Sequence, residues 1–315
     1  MRDRTPRLNP VTEYTFRSPY QIGAVAPSYG SAGAMTTVYA TSTHATHPLV
    51  PAQDPAPVCS VRAGDQIGNW LRVLEPLHQS SRYDTVRVHD ARQDCVCVAK
   101  LLRPDVRHPD RARSRLEREW RVTGSITHPN IVRSRDWSDA PPYLLLDNVP
   151  GETLRSVLRR EQRFTACDIR RLALQMASAL EHLHERDFVH ADVKPANVMV
   201  SGPAGSRTFT LIDFDLVRRV GEPVRGVGTR MFMAPEHAGD ARARTSADVW
   251  GLGILLHRAL TGEFPDPDGS DSAADRMLRS SPDADLELAH LVDSLLAPQP
   301  AARPRLRDVR RAVSI

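Results

Sequence analysis

Two lysines stand out among the residues that could do chemistry, because the chain has no others. Of the 42 basic residues, 40 are arginine and only Lys100 and Lys194 are lysine. A compositional bias toward arginine explains the surplus at tolerant positions. Under that bias, a retained lysine marks a candidate position where a guanidinium group cannot replace a compact ammonium group. The alternative is that both lysines were retained by chance. Their positions in the sequence decide between these two explanations.

The second lysine falls in a segment that also contains a carboxylate and a side-chain amide. The segment reads His-Ala-Asp-Val-Lys-Pro-Ala-Asn over residues 190–197, and Asp-Phe-Asp follows at residues 213–215. Further along, Ala-Pro-Glu occupies residues 234–236 and Asp-Val-Trp-Gly occupies residues 248–251. This ordered set resembles the catalytic loop, the metal-binding segment and the downstream motifs of eukaryotic-type (Hanks-type) serine/threonine protein kinases. The resemblance covers nearly all of the predicted folded part of the chain.

The resemblance implies a role for each polar residue of these motifs in the transfer of phosphate from ATP to a protein hydroxyl group. Asp192 is expected to accept the proton of the substrate hydroxyl, and Lys194 to offset negative charge on the γ-phosphate. Thr229 matches the threonine that contacts both of these residues in serine/threonine kinases. Asn197 and Asp213 offer the oxygen ligands that suit Mg²⁺, with Mn²⁺ as an alternative metal.

The first lysine ends the run Val-Cys-Val-Ala-Lys at residues 96–100. This run resembles the kinase strand whose lysine holds the α- and β-phosphates of ATP, and that lysine needs a carboxylate partner from the next helix. Glu117 and Glu119 are both candidates. The resemblance favours Glu119, because the family's spacing to the His-Pro-Asn-Ile-Val segment that begins at His128 fits that residue, and Glu117 is the reserve.

The remaining nucleotide contacts are implied by position in the family pattern. Leu146 matches the gatekeeper residue, and residues 147–149 match the hinge whose backbone holds adenine. The further residues expected around the nucleotide are Leu77, Val86, Asp147 and Val149.

Three features depart from the family pattern. The loop over residues 78–84 has none of the glycines that let backbone amides approach phosphate closely. Asp215 replaces the glycine of the metal-binding motif. Ala191 replaces the arginine that clamps a phosphorylated activation loop in many relatives.

The activation segment has few residues that could be phosphorylated. Between Asp213 and Glu236 there is no serine and no tyrosine, and Thr229 is the only threonine. Since Ala191 also removes the arginine clamp, we predict that activity does not depend on activation-loop phosphorylation.

The composition argues against several other classes of function. The formal net charge is +4 and the pI about 9.1, and the arginines are scattered, which gives little support to nucleic-acid or membrane-surface binding. The four cysteines form no Cys-x-x-Cys pair. No apolar stretch is long enough to span a membrane, and no signal peptide is recognisable. A soluble protein of the cytoplasm, or of a host cell if the source is viral, is therefore expected.

The order of the predicted elements is typical of an α+β chain with two lobes. Residues 1–63 are rich in Pro, Ser, Thr and Ala and are predicted to form a disordered tail. Strand-like runs with one amphipathic helix dominate residues 64–147, and helical spacing dominates residues 148–315. The expected protein-kinase fold has a small, mainly antiparallel β N-lobe with one helix, and a larger helical C-lobe. The individual runs are predicted as strands over residues 67–77, 86–102 and 143–149 and as helices over residues 111–126, 169–184 and 247–260.

Two other functions remain open on the sequence. A pseudokinase, which keeps the fold as a binding or scaffolding module, is favoured by the missing glycines and by Asp215. A small-molecule kinase of the aminoglycoside-phosphotransferase type shares the His-x-Asp-x-x-x-x-Asn loop. Against it, Lys194 and the Ala-Pro-Glu segment favour a protein substrate with Ser or Thr acceptors.

Overall fold

The computed structural model describes residues 60–161, 164–224, 229–237, 242–266, 272–280 and 286–314. Most of the predicted tail, up to residue 59, therefore lies outside the described residues, and so do residues 225–228 of the activation segment.

Strands and a single helix form the N-terminal lobe within the described residues. They are β1 (Gln66–Ile67), β2 (Leu71–Gln79), β3 (Tyr83–Asp90), β4 (Cys95–Leu102), α1 (Pro109–Ser125), β5 (Ser134–Asp139) and β6 (Pro142–Asp147). The strands form one antiparallel sheet in the order β1-β2-β3-β4-β6-β5. The sheet ends at Asp147, where the sequence places the boundary between the lobes.

The pairing of β3 with β4 decides which side chains share a face with Lys100. Thr85 lies opposite Lys100, and Val86 lies opposite Ala99. Because side chains alternate across a strand, Tyr83 and Thr85 share the Lys100 face, whereas Val86 and Ala99 occupy the other one. Val86 and Ala99 are both fully buried in an apolar cluster on that other face.

The predicted helices and strands are found with small shifts at their ends, with two differences. Residues 68–70 form a turn that separates β1 from β2 within the stretch 67–77. The stretch predicted as strand over residues 86–102 contains a turn between β3 and β4. Asp94 in this turn has a φ of 47°, in the left-handed region that Asp tolerates better than most residues. The run therefore forms a hairpin, in which the valines of β3 pack beside the small side chains of β4.

The C-terminal lobe is mainly helical. Its described elements are β7 (Glu152–Thr153), α2 (Leu154–Glu161), α3 (Ala166–His184), β8 (Phe188–Val189), β9 (Val198–Ser201), β10 (Thr208–Leu211), β11 (Arg218–Arg219), α4 (Thr245–Thr261), α5 (Ala273–Ser280), α6 (Leu286–Leu295) and α7 (Leu306–Val313). The expected two-lobed α+β fold is confirmed. Among the described helices, none combines the length and the apolar character needed to cross a membrane.

Helix α4 packs closely against the loop that carries residues 190–197. Gly251 makes this approach possible, because a Cβ atom added there would lie 3.0 Å from Cβ of Val193. Such a distance is tight for two carbon atoms in a packed interior. The buried helix thus packs directly against the loop, and any side chain at position 251 would clash with Val193.

Candidate active site

Helix α1 presents Glu119 to the interior of the N-terminal lobe. Leu116, Glu119 and Thr123 are buried and follow one another at intervals of three and four residues, so they share one face of the helix. Glu117 lies off this face and accepts a hydrogen bond from Arg121 at 2.6 Å. The side-chain spacing of the helix therefore selects Glu119 as the carboxylate that can reach the sheet.

Lys100 binds two carboxylates. Its Nζ atom lies 2.7 Å from Oε2 of Glu119 and 2.7 Å from Oδ1 of Asp213. The predicted contact with Glu119, rather than Glu117, is confirmed. Burial acts to lower the pKa of Lys100, but the Asp213 and Glu119 carboxylates outweigh it and raise that pKa above its ordinary value. Burial acts to raise the pKa of Asp213, but the Lys100 ammonium group holds it at about 2.

Asp213 is held in an unusual backbone conformation. Its φ is 62°, which residues with side chains adopt rarely and mostly where the surrounding structure enforces it. Two contacts of the next residue enforce it here. The Phe214 amide donates to Oε1 of Glu119 at 3.1 Å, and the buried Phe214 ring lies edge-on to His190 with 4.8 Å between ring centres. Glu119 thus fixes both Lys100 and the backbone beside Asp213.

Asp192 is the centre of a second constellation. Lys194 Nζ donates to its Oδ2 atom at 2.6 Å, and the Thr229 hydroxyl donates to its Oδ1 atom at 2.9 Å. The Thr229 amide also donates to Oδ1 at 3.1 Å, and Lys194 donates to Thr229 Oγ1 at 2.8 Å. The contacts that the sequence predicts for Thr229 with both residues are confirmed.

Asn197 links the group of residues around Asp192 to Asp213, which contacts Lys100. Its Nδ2 atom donates to the main-chain oxygen of Asp192 at 2.9 Å and to Oδ2 at 3.0 Å. Its main-chain oxygen accepts from the Ile212 amide at 2.9 Å, which brings Asn197 next to Asp213.

The donor set of Asn197 and Asp213 fits a hard divalent cation. Among the described residues, no group donates a hydrogen bond to Asn197 Oδ1, so this neutral oxygen is available as a ligand. The Asp213 side chain is 41 % exposed and supplies an anionic oxygen. Mg²⁺ binds through one or two carboxylates together with substrate phosphates, and the same oxygens suit Mn²⁺.

Asp248, in the first turn of α4, anchors the loop that carries Asp192. Its buried carboxylate accepts from the amides of His190 at 2.8 Å and Ala191 at 2.9 Å, and lies 2.8 Å from His184 Nε2. Ala191 has a φ of 64°, so this anchor holds a strained backbone. The sequence indicated Asp248 only as the start of a helix. A carboxylate at the head of a buried apolar helix is the signal that could have identified it.

The backbone amides of the hinge differ in their hydrogen bonds. The Asp147 amide donates to the Arg133 oxygen at 2.9 Å, and its carboxylate accepts from Arg135. The Val149 amide has no acceptor among the described main-chain carbonyls. Leu146 is buried on the sheet face of Lys100, as the gatekeeper position requires.

One of the residues expected to touch the nucleotide, Val86, is placed differently by the strands. Val86 lies on the sheet face opposite Lys100, which removes it from the candidate nucleotide contacts. The resemblance could not show this, because it matches positions along the chain and does not state which face of the sheet each side chain occupies. Leu77 lies in an irregular stretch of β2, where the pairing shifts between Pro76 and His78, and it is 37 % exposed.

Glu236 of the Ala-Pro-Glu segment pairs with Arg303 of the C-terminal region. Arg303 donates from Nη1 to Oε1 at 2.6 Å and from Nη2 to Oε2 at 2.8 Å, the two-pronged geometry that makes arginine pairs specific. Arg303 also lies over the Trp250 ring of α4. The pair therefore ties the activation segment to the large lobe.

The loop without glycines and Asp215, two of the departures from the family pattern, contact each other. The sequence did not indicate this contact. Arg82 from the loop between β2 and β3 donates from Nη2 to Oδ2 of Asp215 at 2.7 Å. The Tyr83 hydroxyl lies 3.0 Å from Oδ1 of the same residue. No sequence signal pairs residues so far apart in the chain.

The two-lobed fold and the paired lysine sites define the class of this protein as a protein kinase. The family model described as "Protein kinase domain" matches residues 83–313, and the chain belongs to this family.

Curated relatives are bacterial serine/threonine-protein kinases. A probable serine/threonine-protein kinase of Corynebacterium efficiens is 28% identical over 181 residues, which cover 53% of this chain and 27% of that protein. Serine/threonine-protein kinase PknB of Mycobacterium tuberculosis is 28% identical over 215 residues, or 60% of this chain and 34% of that protein. Serine/threonine-protein kinase PknD of the same species is 29% identical over 247 residues, or 76% and 34%. The chain thus matches about a third or less of the length of these relatives.

Proposed function

We propose that this chain is an ATP-dependent kinase that transfers the γ-phosphate to Ser and Thr hydroxyl groups of proteins. The observation that carries the proposal is the placement of the two lysines. Lys100 contacts Glu119 and Asp213, and Lys194 contacts Asp192 and Thr229. A chain with 40 arginines retains lysine at these two positions. The Lys100 ammonium group contacts two carboxylates of the candidate site, and the Lys194 ammonium group contacts one.

In the proposed reaction, a substrate hydroxyl oxygen attacks the γ-phosphorus and its proton passes to the Asp192 carboxylate. The bond from that phosphorus to the bridging oxygen breaks, which leaves ADP and a phosphorylated side chain. Lys194 offsets the charge on the transferred group, and Thr229 holds both residues in line. Lys100 holds the α- and β-phosphates. A divalent metal bound to Asn197 and Asp213 would neutralise phosphate charge.

The assembled state of the site supports activity without activation-loop phosphorylation. Lys100 and Glu119 are already in contact although residues 214–224 contain no group that could carry phosphate. Ala191, at the position of the phosphate-clamping arginine, instead donates its amide to Asp248. We therefore propose that the contacts within the site, rather than a phosphorylated loop, hold it in order.

Transfer from γ-labelled ATP to a panel of acceptors tests this proposal. The panel contains a general protein substrate, such as casein or myelin basic protein, and small hydroxylated compounds that include aminoglycosides. Labelled phosphoserine or phosphothreonine in the protein is the expected result. Label in the small acceptors alone would establish the small-molecule kinase instead. Nucleotide binding without any transfer would establish the pseudokinase, which the loop without glycines favours.

A further inference from the structure

The loop between β2 and β3 uses its own backbone amides within a tight turn. The Ser80 amide donates to the Tyr83 oxygen at 2.8 Å. The Ser80 hydroxyl oxygen accepts from the amides of Arg82 at 3.2 Å and Tyr83 at 2.9 Å. These three amides are therefore engaged inside the loop. A phosphate group could recruit them only by breaking the turn, so this loop does not offer the amide cradle that glycines provide elsewhere.

The same loop is tied to the metal-binding segment by its side chains. Arg82 and Tyr83 both contact Asp215, at 2.7 Å and 3.0 Å. The Asp215 side chain is only 9 % exposed, and Arg115 of α1 approaches its Oδ2 atom to 3.6 Å. A glycine at position 215 has no side chain with which to make any of these contacts. The missing glycines and the added aspartate are thus two parts of one arrangement.

Tyr83 connects this arrangement to Lys100. The tyrosine is buried, and its oxygen lies 2.8 Å from the Ala112 oxygen of α1 and 3.0 Å from Asp215, so its single proton lies between two acceptors. Burial first, and the Asp215 carboxylate second, raise the pKa of Tyr83 above its ordinary value and keep that proton in place. The Lys100 ammonium group lies 5.0 Å from the centre of the Tyr83 ring, within the range of a cation–π interaction.

We propose that Asp215 is a positioning residue that clasps Arg82 and Tyr83, and that this clasp closes the loop over the phosphate side of the site before nucleotide binds. A glycine-rich loop becomes ordered when it binds phosphate, whereas the clasp orders this loop before nucleotide binds. Nucleotide binding then has less loop entropy to overcome. The role in nucleotide binding rests on the proposed kinase function, whereas the clasp itself does not.

Amide hydrogen exchange of residues 80–84 in the nucleotide-free protein tests the clasp directly. Asp215→Asn and Arg82→Gln are expected to speed exchange there roughly tenfold, because each removes a charge-assisted hydrogen bond that restrains the loop. The exposed pair of Arg113 and Asp139, at 2.8 Å, supplies the matched controls Arg113→Gln and Asp139→Asn, which leave the loop unchanged. Equal exchange in Asp215→Asn and wild type would overturn the proposal. If Asp215→Asn does not fold, Arg82→Gln, whose side chain is 36 % exposed, still decides it.

Calorimetric titration with ATP and Mg²⁺ then tests the consequence for binding. Asp215→Asn is expected to weaken ATP roughly fivefold, and adding Arg82→Gln to that variant is expected to weaken it little further, because both act through one contact. Fully additive effects would contradict a shared contact.

Asp215→Gly, which restores the usual family residue, is expected to weaken binding as well, and tighter binding would overturn the proposal. If wild type binds no nucleotide while the exchange result holds, the proposed function fails and the clasp survives.

Steady-state kinetics separate positioning from a general loss of structure. The clasp predicts that Asp215→Asn raises KM for ATP by the same factor as the dissociation constant and changes kcat less than twofold. A fall in kcat with KM unchanged would contradict a role in loop closure.

Discussion

Thr229 donates its hydroxyl proton to the Asp192 carboxylate across 2.9 Å, although 37 residues separate the two in the chain. Lys194 and Asn197 donate to the other oxygen of the same carboxylate, at 2.6 Å and 3.0 Å. Donors on both oxygens fix the orientation of the group that is proposed to receive the substrate proton. Orientation of this kind is the main contribution a protein makes to phosphoryl transfer.

Removal of the Thr229 hydroxyl should therefore slow transfer without weakening ATP binding. For Thr229→Ala we expect kcat to fall roughly tenfold or more, because Asp192 and Lys194 lose a shared hydrogen-bond partner. KM for ATP should stay within about twofold, since Thr229 contacts neither Lys100 nor Asp213. Thr229→Ser keeps the hydroxyl group and should retain most of the activity. Equal loss in the alanine and serine variants would contradict this role for the hydroxyl.

The two glutamates of α1 provide an internal comparison. Glu119→Gln is expected to lower kcat/KM roughly a hundredfold, because Lys100 and the backbone of Phe214 lose the carboxylate that positions them. Glu117→Gln makes the same chemical change two residues away and should have no more than a twofold effect. Steady-state kinetics at matched protein concentration measure both. Similar losses in the two variants would contradict a specific role for the contact between Glu119 and Lys100 in activity.

The anchor at Asp248 should give stability a characteristic dependence on pH. Burial acts to raise the pKa of Asp248, but the hydrogen bond from His184 and nearby positive charge outweigh it and lower the pKa below 3.8. A carboxyl whose pKa is lowered on folding contributes stability that is present above the unfolded-state pKa and is lost as pH falls through the folded value. Asp248→Asn should therefore reduce the free energy of unfolding by about 1–3 kcal/mol at pH 7.

Urea unfolding of wild type and Asp248→Asn at pH 7, 5 and 3 measures this dependence. The difference between the two proteins should be similar at pH 7 and 5 and should shrink at lower pH. A difference at pH 3 equal to that at pH 7 would contradict a contribution from the ionised carboxylate.

Phosphatase treatment should leave activity unchanged. The activation segment between Asp213 and Glu236 has Thr229 as its only hydroxyl residue, and that hydroxyl is bonded to Asp192. Protein expressed with and without a co-expressed phosphatase should show the same initial rate within about twofold, and mass spectrometry should verify the removal of phosphate. A large loss of activity in the dephosphorylated protein would contradict the proposed independence from phosphorylation.

The sequence predicted the grouping of several of these residues because they lie within short motifs. Asp192, Lys194 and Asn197 lie within one loop that resembles the family's catalytic loop, and in the structure Lys194 and Asn197 both contact Asp192. Glu119 was also predictable, because the spacing to His128 favoured it and helical periodicity gives it a different face from Glu117.

The features that the sequence missed depend on long-range packing or register. Val86 was assigned to the nucleotide because its position matches the family pattern, but the register of β3 with β4 turns it to the opposite face. Arg82 and Asp215 are 133 residues apart, and each alone looks like the loss of a glycine. Their contact exists only in the folded chain, where two separate departures from a pattern become one interaction.

Phosphoamino-acid analysis of a protein substrate after incubation with γ-labelled ATP and Mg²⁺ tests the central claim most directly. Asp192→Asn is the decisive variant, and Asp187→Asn is its matched control, an exposed aspartate with a φ of 60° that asparagine also tolerates. We predict labelled phosphoserine or phosphothreonine with wild type and with Asp187→Asn, and a loss of at least a hundredfold with Asp192→Asn. Equal labelling by wild type and Asp192→Asn, or no labelling by either, would contradict the assignment of this chain as an active serine/threonine kinase.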